Sequence, residues 1–293
     1  MESIGDILSK RPEVKGNLQS LMVEVMKNQD VQAFIKEHEM TEDQIQRSYS
    51  KFYEYVKELE KIQNKQERMM DGYQPVLIMN HDYADVSYET TEELAERQKI
   101  ERVRRRVNVI GLPKTYRDIT LEDVSSEDSK RLELIQSIVK FASEPTKEKG
   151  LYLYGNFGVG KSYIMAAMAN ELAQKGISTT LLHYPTFISD IDFNNAREVV
   201  NDIKKAPVLV LDDIGAEMNN AWVRDSILQV ILQYRMQEDL PTFFTSNLSM
   251  NELEGHLAET KNTEDIWPAK RVMERVRYLA KEVRLEGNNK RHD

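Results

Sequence analysis

The chain has 293 residues, enough for two domains by ordinary domain sizes. Its composition, 40% hydrophobic, 8% aromatic and 30% charged, is that of a folded soluble protein and excludes a largely disordered one. Forty basic against forty-nine acidic residues leave a net charge of -9, which excludes a uniformly basic nucleic-acid coat; the absence of cysteine excludes disulfides, thiol catalysis, iron–sulfur clusters and the common structural zinc sites.

The five histidines (His38, His81, His183, His256, His292) are scattered and suggest no metal cluster. No apolar run approaches the roughly 18 to 20 residues that span a bilayer, and the opening segment has no apolar h-region. A cytoplasmic protein with no membrane association is expected.

The first seventy residues read as helices. Leu18, Leu21, Met22, Val25 and Met26 form one apolar stripe, and Val31, Phe34 and Ile35 a second. A capping box at Thr41–Gln44 opens a longer helix. Its residues Ile45, Tyr49, Phe52, Val56 and Leu59 step by four, three, four and three, a heptad-like seam suited to packing on another element. That element is either part of the same small bundle or a partner protein.

Residues 74–79 and 82–88, with Asn80-His81-Asp82 between them, read as a β-hairpin spanning about 74–89. A second capping box, Thr90 to Glu93, opens a basic helical linker over about 90–106 with Arg97, Lys99, Arg102, Arg104, Arg105 and Arg106. Gly111-Leu112-Pro113 is expected to stop it. The charge run is either a solvated face or a contact to a phosphate backbone. An N-terminal domain over 1–106 and a second domain over 107–293 follow from this reading.

From residue 108 onward strands alternate with helices. Short apolar runs at Leu151–Tyr154, Thr179–His183, Val208–Leu211 and Thr242–Thr245 are separated by helical stretches Lys161–Lys175, Thr186–Lys204 and Asn220–Glu238. Such β–α–β alternation predicts a parallel sheet covered by helices.

The sharpest motif is Gly155-Asn156-Phe157-Gly158-Val159-Gly160-Lys161-Ser162, which satisfies G-x-x-x-x-G-K-[ST] at every position, after a strand and opening a helix. Its glycines let successive amides face phosphate oxygens, Lys161 supplies a cation to the β- and γ-phosphates, and Ser162 a hydroxyl to Mg2+. ATP with Mg2+ is the expected ligand. Val208-Leu209-Val210-Leu211-Asp212-Asp213 is a buried strand that delivers two acids at its carboxyl end. Asp212 is expected to hold Mg2+ through water, and Asp213 to stand where many ATPases place a water-orienting glutamate. Being one methylene shorter, it implies slow hydrolysis without help, and Glu217 is near enough in sequence to assist.

An additional strand, Thr179–His183, falls between the two motifs in sequence, and the later strand Thr242–Thr245 ends in Ser246-Asn247. That order indicates the AAA+ branch of P-loop folds, with Asn247 either a sensor of the γ-phosphate or attacking water, or a turn residue. Arg271 and Arg275 share one face of a C-terminal helix whose other face carries Val272, Met273, Val276 and Leu279. They are either solvated or able to reach a neighbour's ATP.

Taken together, GNFGVGKS, VLVLDDIGAE, Trp222-Val223-Arg224-Asp225, PTFFTSN and KRVMERVRYL resemble the DnaC/DnaI/IstB group of AAA+ ATPases. The run Tyr152–Gly155, the paired aspartates, the ending Arg284-Leu285-Glu286-Gly287 and the segment Asp30–Phe34 resemble its DnaI-type helicase loaders, so the likeness covers nearly the whole chain. The resemblance implies a C-terminal AAA+ ATPase domain, α/β in class, behind a smaller, mainly helical N-terminal domain with a hairpin. It implies ATP-dependent loading of a DnaB-type hexameric helicase, bound through the N-terminal domain, onto single-stranded DNA in initiation and restart. Self-association through the ATPase domain is implied too, with Arg275 matching the arginine finger and Arg284 matching sensor 2. The chain departs from the pattern in one place: some members carry a cysteine-rich zinc site near the position of Ile62-Gln63-Asn64-Lys65-Gln66, and here no zinc is expected. An IstB-like transposition ATPase and an adaptor switched by ATP without hydrolysis are the competing expectations.

Overall fold

The computed structural model describes residues 22–64, 71–124, 129–144, 149–259 and 265–289. Leu18 and Leu21 of the first apolar stripe, and Lys65 and Gln66, lie outside them. The chain divides into two compact units, residues 1–99 and 100–293. No helix among the described residues is long and apolar enough to cross a membrane.

In the first unit α1 (Gln29–Glu37) is capped by Asn28, whose side chain accepts from the amides of Asp30 and Val31. The expected capping box at Thr41 and Gln44 opens α2 (Glu42–Gln63). Strands β1 (Tyr73–Asn80) and β2 (Tyr83–Thr90) form the antiparallel hairpin, turning through His81 at φ 60°. The heptad-like seam is spent inside the unit: Phe52 and Val56 are buried, and Ile45, Tyr49 and Leu59 pack beside them against Val31, Phe34, Ala84 and Leu77. Its partner is therefore the chain's own hairpin and α1. The buried Ser48 hydroxyl donates to the Gln44 carbonyl (2.7 Å) and accepts the Ala84 amide (2.8 Å), tying β2 to α2. Arg47–Asp82 and Lys51–Asp85, each 3.0 Å, flank that tie.

Helix α3 (Glu92–Arg106) starts one residue later than expected. β2 runs through Thr90, and it is the Thr91 hydroxyl that accepts the Leu94 amide while donating to the Gly72 carbonyl. The helix also stops before Gly111, because Val107, Val109 and Ile110 pair with a sheet as β3 (Val107–Ile110). Three of the six basic residues of the run are ion-paired: Arg97 with Glu93, Lys99 with Glu96, and Arg104 with Glu101 and Asp118.

The second unit is built on a six-stranded parallel sheet in the order β3-β5-β6-β7-β4-β8, where β4 is Gly150–Tyr154, β5 Thr179–His183, β6 Val208–Asp212, β7 Thr242–Ser246 and β8 Ala280–Arg284. Strand β7, not β5, lies between β4 and β6 in space. Helices α4 (Ser129–Ser143) and α5 (Lys161–Gln174) pack on one apolar cluster. A second cluster gathers α6 (Tyr184–Asp190), α7 (Ala196–Lys204), α8 (Gln229–Gln237), α9 (Met250–Ala258) and α10 (Ile266–Leu279).

The stretch expected as one helix over 186–204 breaks at residues 192–195. There the Asp192 carboxylate takes the amides of Asn194 and Asn195, and the Asn195 side chain takes the Asp192 amide, so side chains replace the helical ladder. The stretch 220–238 opens with a π-helical turn, Val223–Leu228, ahead of α8.

Arg235 of α8 is fully buried and ends four connections at once. It donates to the Thr242 hydroxyl (2.8 Å) and to the carbonyls of Lys204 (3.0 Å), Ala206 (2.7 Å) and Pro241 (2.6 Å). Burial pulls its pKa down to about 9. Arg235→Met removes a hydrogen bond from each of these buried acceptors and is expected to cost about 3 kcal/mol or more. Urea denaturation measures the loss, and Arg235→Lys, lacking the planar fork, should restore little of it.

Candidate functional site

The carboxyl ends of β4, β6 and β7 meet at one cleft of about 460 Å³, lined by Gly158, Gly160, Lys161, Ser162, Asp212, Asp213 and Asn247 among others. This is where open parallel sheets place ligands. The phosphate loop leaves β4 at Gly155 and enters α5 at Lys161. Gly160 stands at φ 93° as the N-cap of α5, a left-handed conformation that side chains resist. At Gly158 (φ 77°) an added Cβ would lie 1.8 Å from the Asn289 side-chain oxygen.

Lys161 is nearly buried and donates to the Gly155 carbonyl (2.7 Å), the Asn156 carbonyl (2.9 Å) and Asn247 Oδ1 (2.8 Å). Asn247 in turn donates through Nδ2 to Asp213 Oδ1 (3.0 Å). The two residues predicted to touch the γ-phosphate and the attacking water are thus joined to each other and to the loop lysine. Thr245, one position before the end of β7, connects both acids: its hydroxyl donates to Asp212 Oδ1 (2.7 Å) and accepts the Asp213 amide (2.9 Å). Asp213 sits at φ 58°. Burial pushes the Asp212 carboxyl up, while hydroxyls of Ser162 and Thr245, and His183 nearby, pull it back toward ionisation.

Ser162 and Asp212 offer a hydroxyl and a carboxylate side by side, an all-oxygen set of the kind Mg2+ uses when phosphates and water complete its shell. The cleft wall also carries an apolar patch: Leu112, Tyr116 and Val124, with Tyr163 and the exposed Phe157, suit a flat base.

Three predicted residues are placed elsewhere. Glu217 does not line the cleft: it is buried, accepting the Gly215 amide (2.7 Å) and facing His256 (3.6 Å). Arg284 ends the edge strand β8, its side chain 64% exposed and 3.4 Å from Glu286, and it does not line the cleft. Arg275 is also outside its own cleft. Its Nε donates to Gln233 Oε1 of α8 (2.7 Å) and its Nη1 to the Arg271 carbonyl, while Val272, Met273 and Val276 anchor the helix beneath it.

Arg131 of α4 was not foreseen, since no motif surrounds it. It is buried, lines the cleft, and donates from Nη2 to the Val159 carbonyl (2.6 Å) inside the phosphate loop. Arg131→Ala should weaken ATP binding about tenfold, the worth of a charged hydrogen bond, when measured by equilibrium titration.

Comparison with known proteins places the chain among relatives. Residues 1–88 match the family described as primosomal protein DnaI N-terminus, and residues 73–293 the IstB-like ATP binding proteins. The chain is 38% identical to the replicative helicase loader DnaI of Bacillus subtilis (strain 168), across all of both chains. It is 23% identical to the replicative helicase loader DnaC of Escherichia coli (strain K12) over 60% of this chain and 70% of that one. A crystal structure of DnaI superimposes with a TM-score of 0.59 at 41% identity, covering 65% of this chain and all of the other.

Proposed function

The chain belongs to the DnaI family of replicative helicase loaders, with an IstB-like ATP-binding unit behind a DnaI-type N-terminus, and from that premise we propose that it hydrolyses ATP to place a hexameric helicase on single-stranded DNA. Helicase loading in replication initiation is the role that the full-length identity supports. The finer assignments are ours. Residues 1–106 bind the DnaB-type helicase, residues 107–293 bind ATP with Mg2+, and ATPase units associate with one another. Single-stranded DNA is the track, restart forks are a second place of action, and the cytoplasm is the location.

The observation that carries the hydrolytic reading is the connected set Lys161, Asn247 and Asp213. Lys161 and the loop amides hold the phosphates, and Asn247 and Asp213 orient the water that attacks the γ-phosphate. Mg2+, held by Ser162 and Asp212, would neutralise developing charge on the phosphates. An IstB-like transposition role is disfavoured because residues 1–88 match the DnaI N-terminus. A nucleotide switch with little turnover keeps one observation in its favour: Asp213 is short, and Glu217 is turned away from the cleft.

Lys161→Ala should abolish tight ATP binding while the full-length protein still co-purifies with a hexameric replicative helicase through its N-terminal unit. Unchanged nucleotide affinity would show that the site is misassigned.

Arg275 supplies the second test. It is oriented by Gln233 and Arg271 but stands outside its own cleft, so it suits a neighbouring subunit's ATP. Arginine fingers contributed in trans are worth on the order of 10³- to 10⁵-fold in GTPases. Arg275→Ala should bind ATP normally and lose at least about tenfold of helicase- and DNA-stimulated hydrolysis. Mixing it with Lys161→Ala protein should restore part of the rate, and a loss of ATP affinity in the dilute monomer would place Arg275 in cis.

A further inference from the structure

Behind the cleft, the turn Asp213–Glu217 closes on itself. The Ala216 amide donates to the Asp213 carbonyl (3.3 Å), and the Gly215 amide, at φ 92°, donates to Glu217 Oε2 (2.7 Å). The turn thereby holds Asp213 at φ 58°, a conformation a non-glycine residue keeps only when its surroundings fix it. Glu217 is the far anchor, its side chain 1% exposed.

Glu217 Oε1 and His256 Nε2 face one another at 3.6 Å, and neither has a hydrogen-bond partner among the described residues. Buried polar atoms left this way carry a penalty unless they act as a charged pair or share a water. His256 belongs to α9, and its carbonyl is held by Asn219 Nδ2 (2.8 Å) from the segment after the turn. The buried Tyr184 hydroxyl, also unpartnered, lies within the field of Glu217.

We infer that buried Glu217 and half-buried His256 form a carboxylate–imidazolium pair that positions Asp213 for hydrolysis, so that Glu217 acts through the turn rather than on the attacking water. This rests on the reading of Asp213 as the water-orienting group. The pair couples the catalytic turn to α9, and it makes hydrolysis depend on the protonation of a group outside the nucleotide cleft.

The direction of that dependence follows from the charges around His256. Glu217 faces it directly and Glu259 acts from just beyond α9, both favouring the proton, while burial opposes them; the balance lies above the ordinary histidine value. Arg224 of the π-helical turn bonds the adjacent Leu257 carbonyl but is itself paired with Asp225 and Asp265. From α10, Arg277 is paired with Glu254. Pairing is therefore complete in mild acid and is lost as pH rises through the elevated His256 value.

The test measures steady-state hydrolysis and ATP affinity of the full chain, with hexameric helicase and single-stranded DNA present, from pH 6 to 9. Glu217→Gln keeps the acceptor for Gly215 but removes the charge; His256→Asn removes the cation. Each should lower kcat about tenfold at pH 6.5 with ATP affinity unchanged, and each should flatten the alkaline fall. His256→Lys, charged throughout, should keep the rate and move the fall to higher pH. Wild-type rates and pH profiles in the first two variants would overturn the pairing. A parallel loss of ATP affinity would overturn it as well, by showing general damage to the cleft. If the wild type itself shows no turnover under stimulation, the hydrolytic reading fails and this inference with it; turnover in the wild type confines any failure to the pair.

Discussion

An ammonium and two carboxylates lie together beside the carboxyl ends of β4, β7 and β6, and the rest of the ATP-binding unit is arranged around making that possible. Lys161 and Asp212 are both nearly buried, where an uncompensated charge costs several kcal/mol. Neither is left to pair with the other alone. The ammonium is ringed by two loop carbonyls and an amide oxygen, and the carboxylate by hydroxyls. Neutral dipoles hold each charge without cancelling it, so both remain able to meet a phosphate.

The strand order supplies those dipoles. Placing β7 between β4 and β6 brings Thr245 against Asp212 and Asp213, and Asn247 against Lys161. Arg235 holds the opposite end of the same strands, bonding Thr242 at the start of β7 and Ala206 just before β6. Register at the cleft is thus fixed from both ends of the sheet.

How legible this was depended on the range of the interaction. The phosphate loop is a local device whose glycines, lysine and serine all fall within eight residues, and it was readable in full. The heptad-like seam was readable as a face but not as to its partner, because Ala84 and Leu77 approach it from a separate element, the hairpin. Strand β8 escaped notice since Lys281, Glu282 and Arg284 on an edge strand give no apolar run, and α10 runs into it without a break. Arg131 reaches the loop across 28 positions of chain. Glu217 was assigned to the cleft by proximity in sequence, yet two positive-φ residues, Asp213 and Gly215, reverse the chain and send its side chain backward.

That reversal separates the roles of three acids within six residues. Asp212 ends β6 where burial raises its pKa and the hydroxyls around it restrain that rise, which suits a group whose charge is called upon when a cation arrives. Asp213 is turned out of the strand into the cleft, its backbone amide on Thr245 and its carboxylate on Asn247. Glu217 closes the turn from behind. Had the chain continued in extended conformation past Asp212, strand alternation would have sent Asp213 to the face opposite its neighbour, with no bond to Asn247. The left-handed residue is what lets two consecutive acids serve one cleft. Its strain, of order 1–3 kcal/mol, is offset by the hydrogen bonds that Thr245, Asn247, Ala216 and Glu217 place on a five-residue turn.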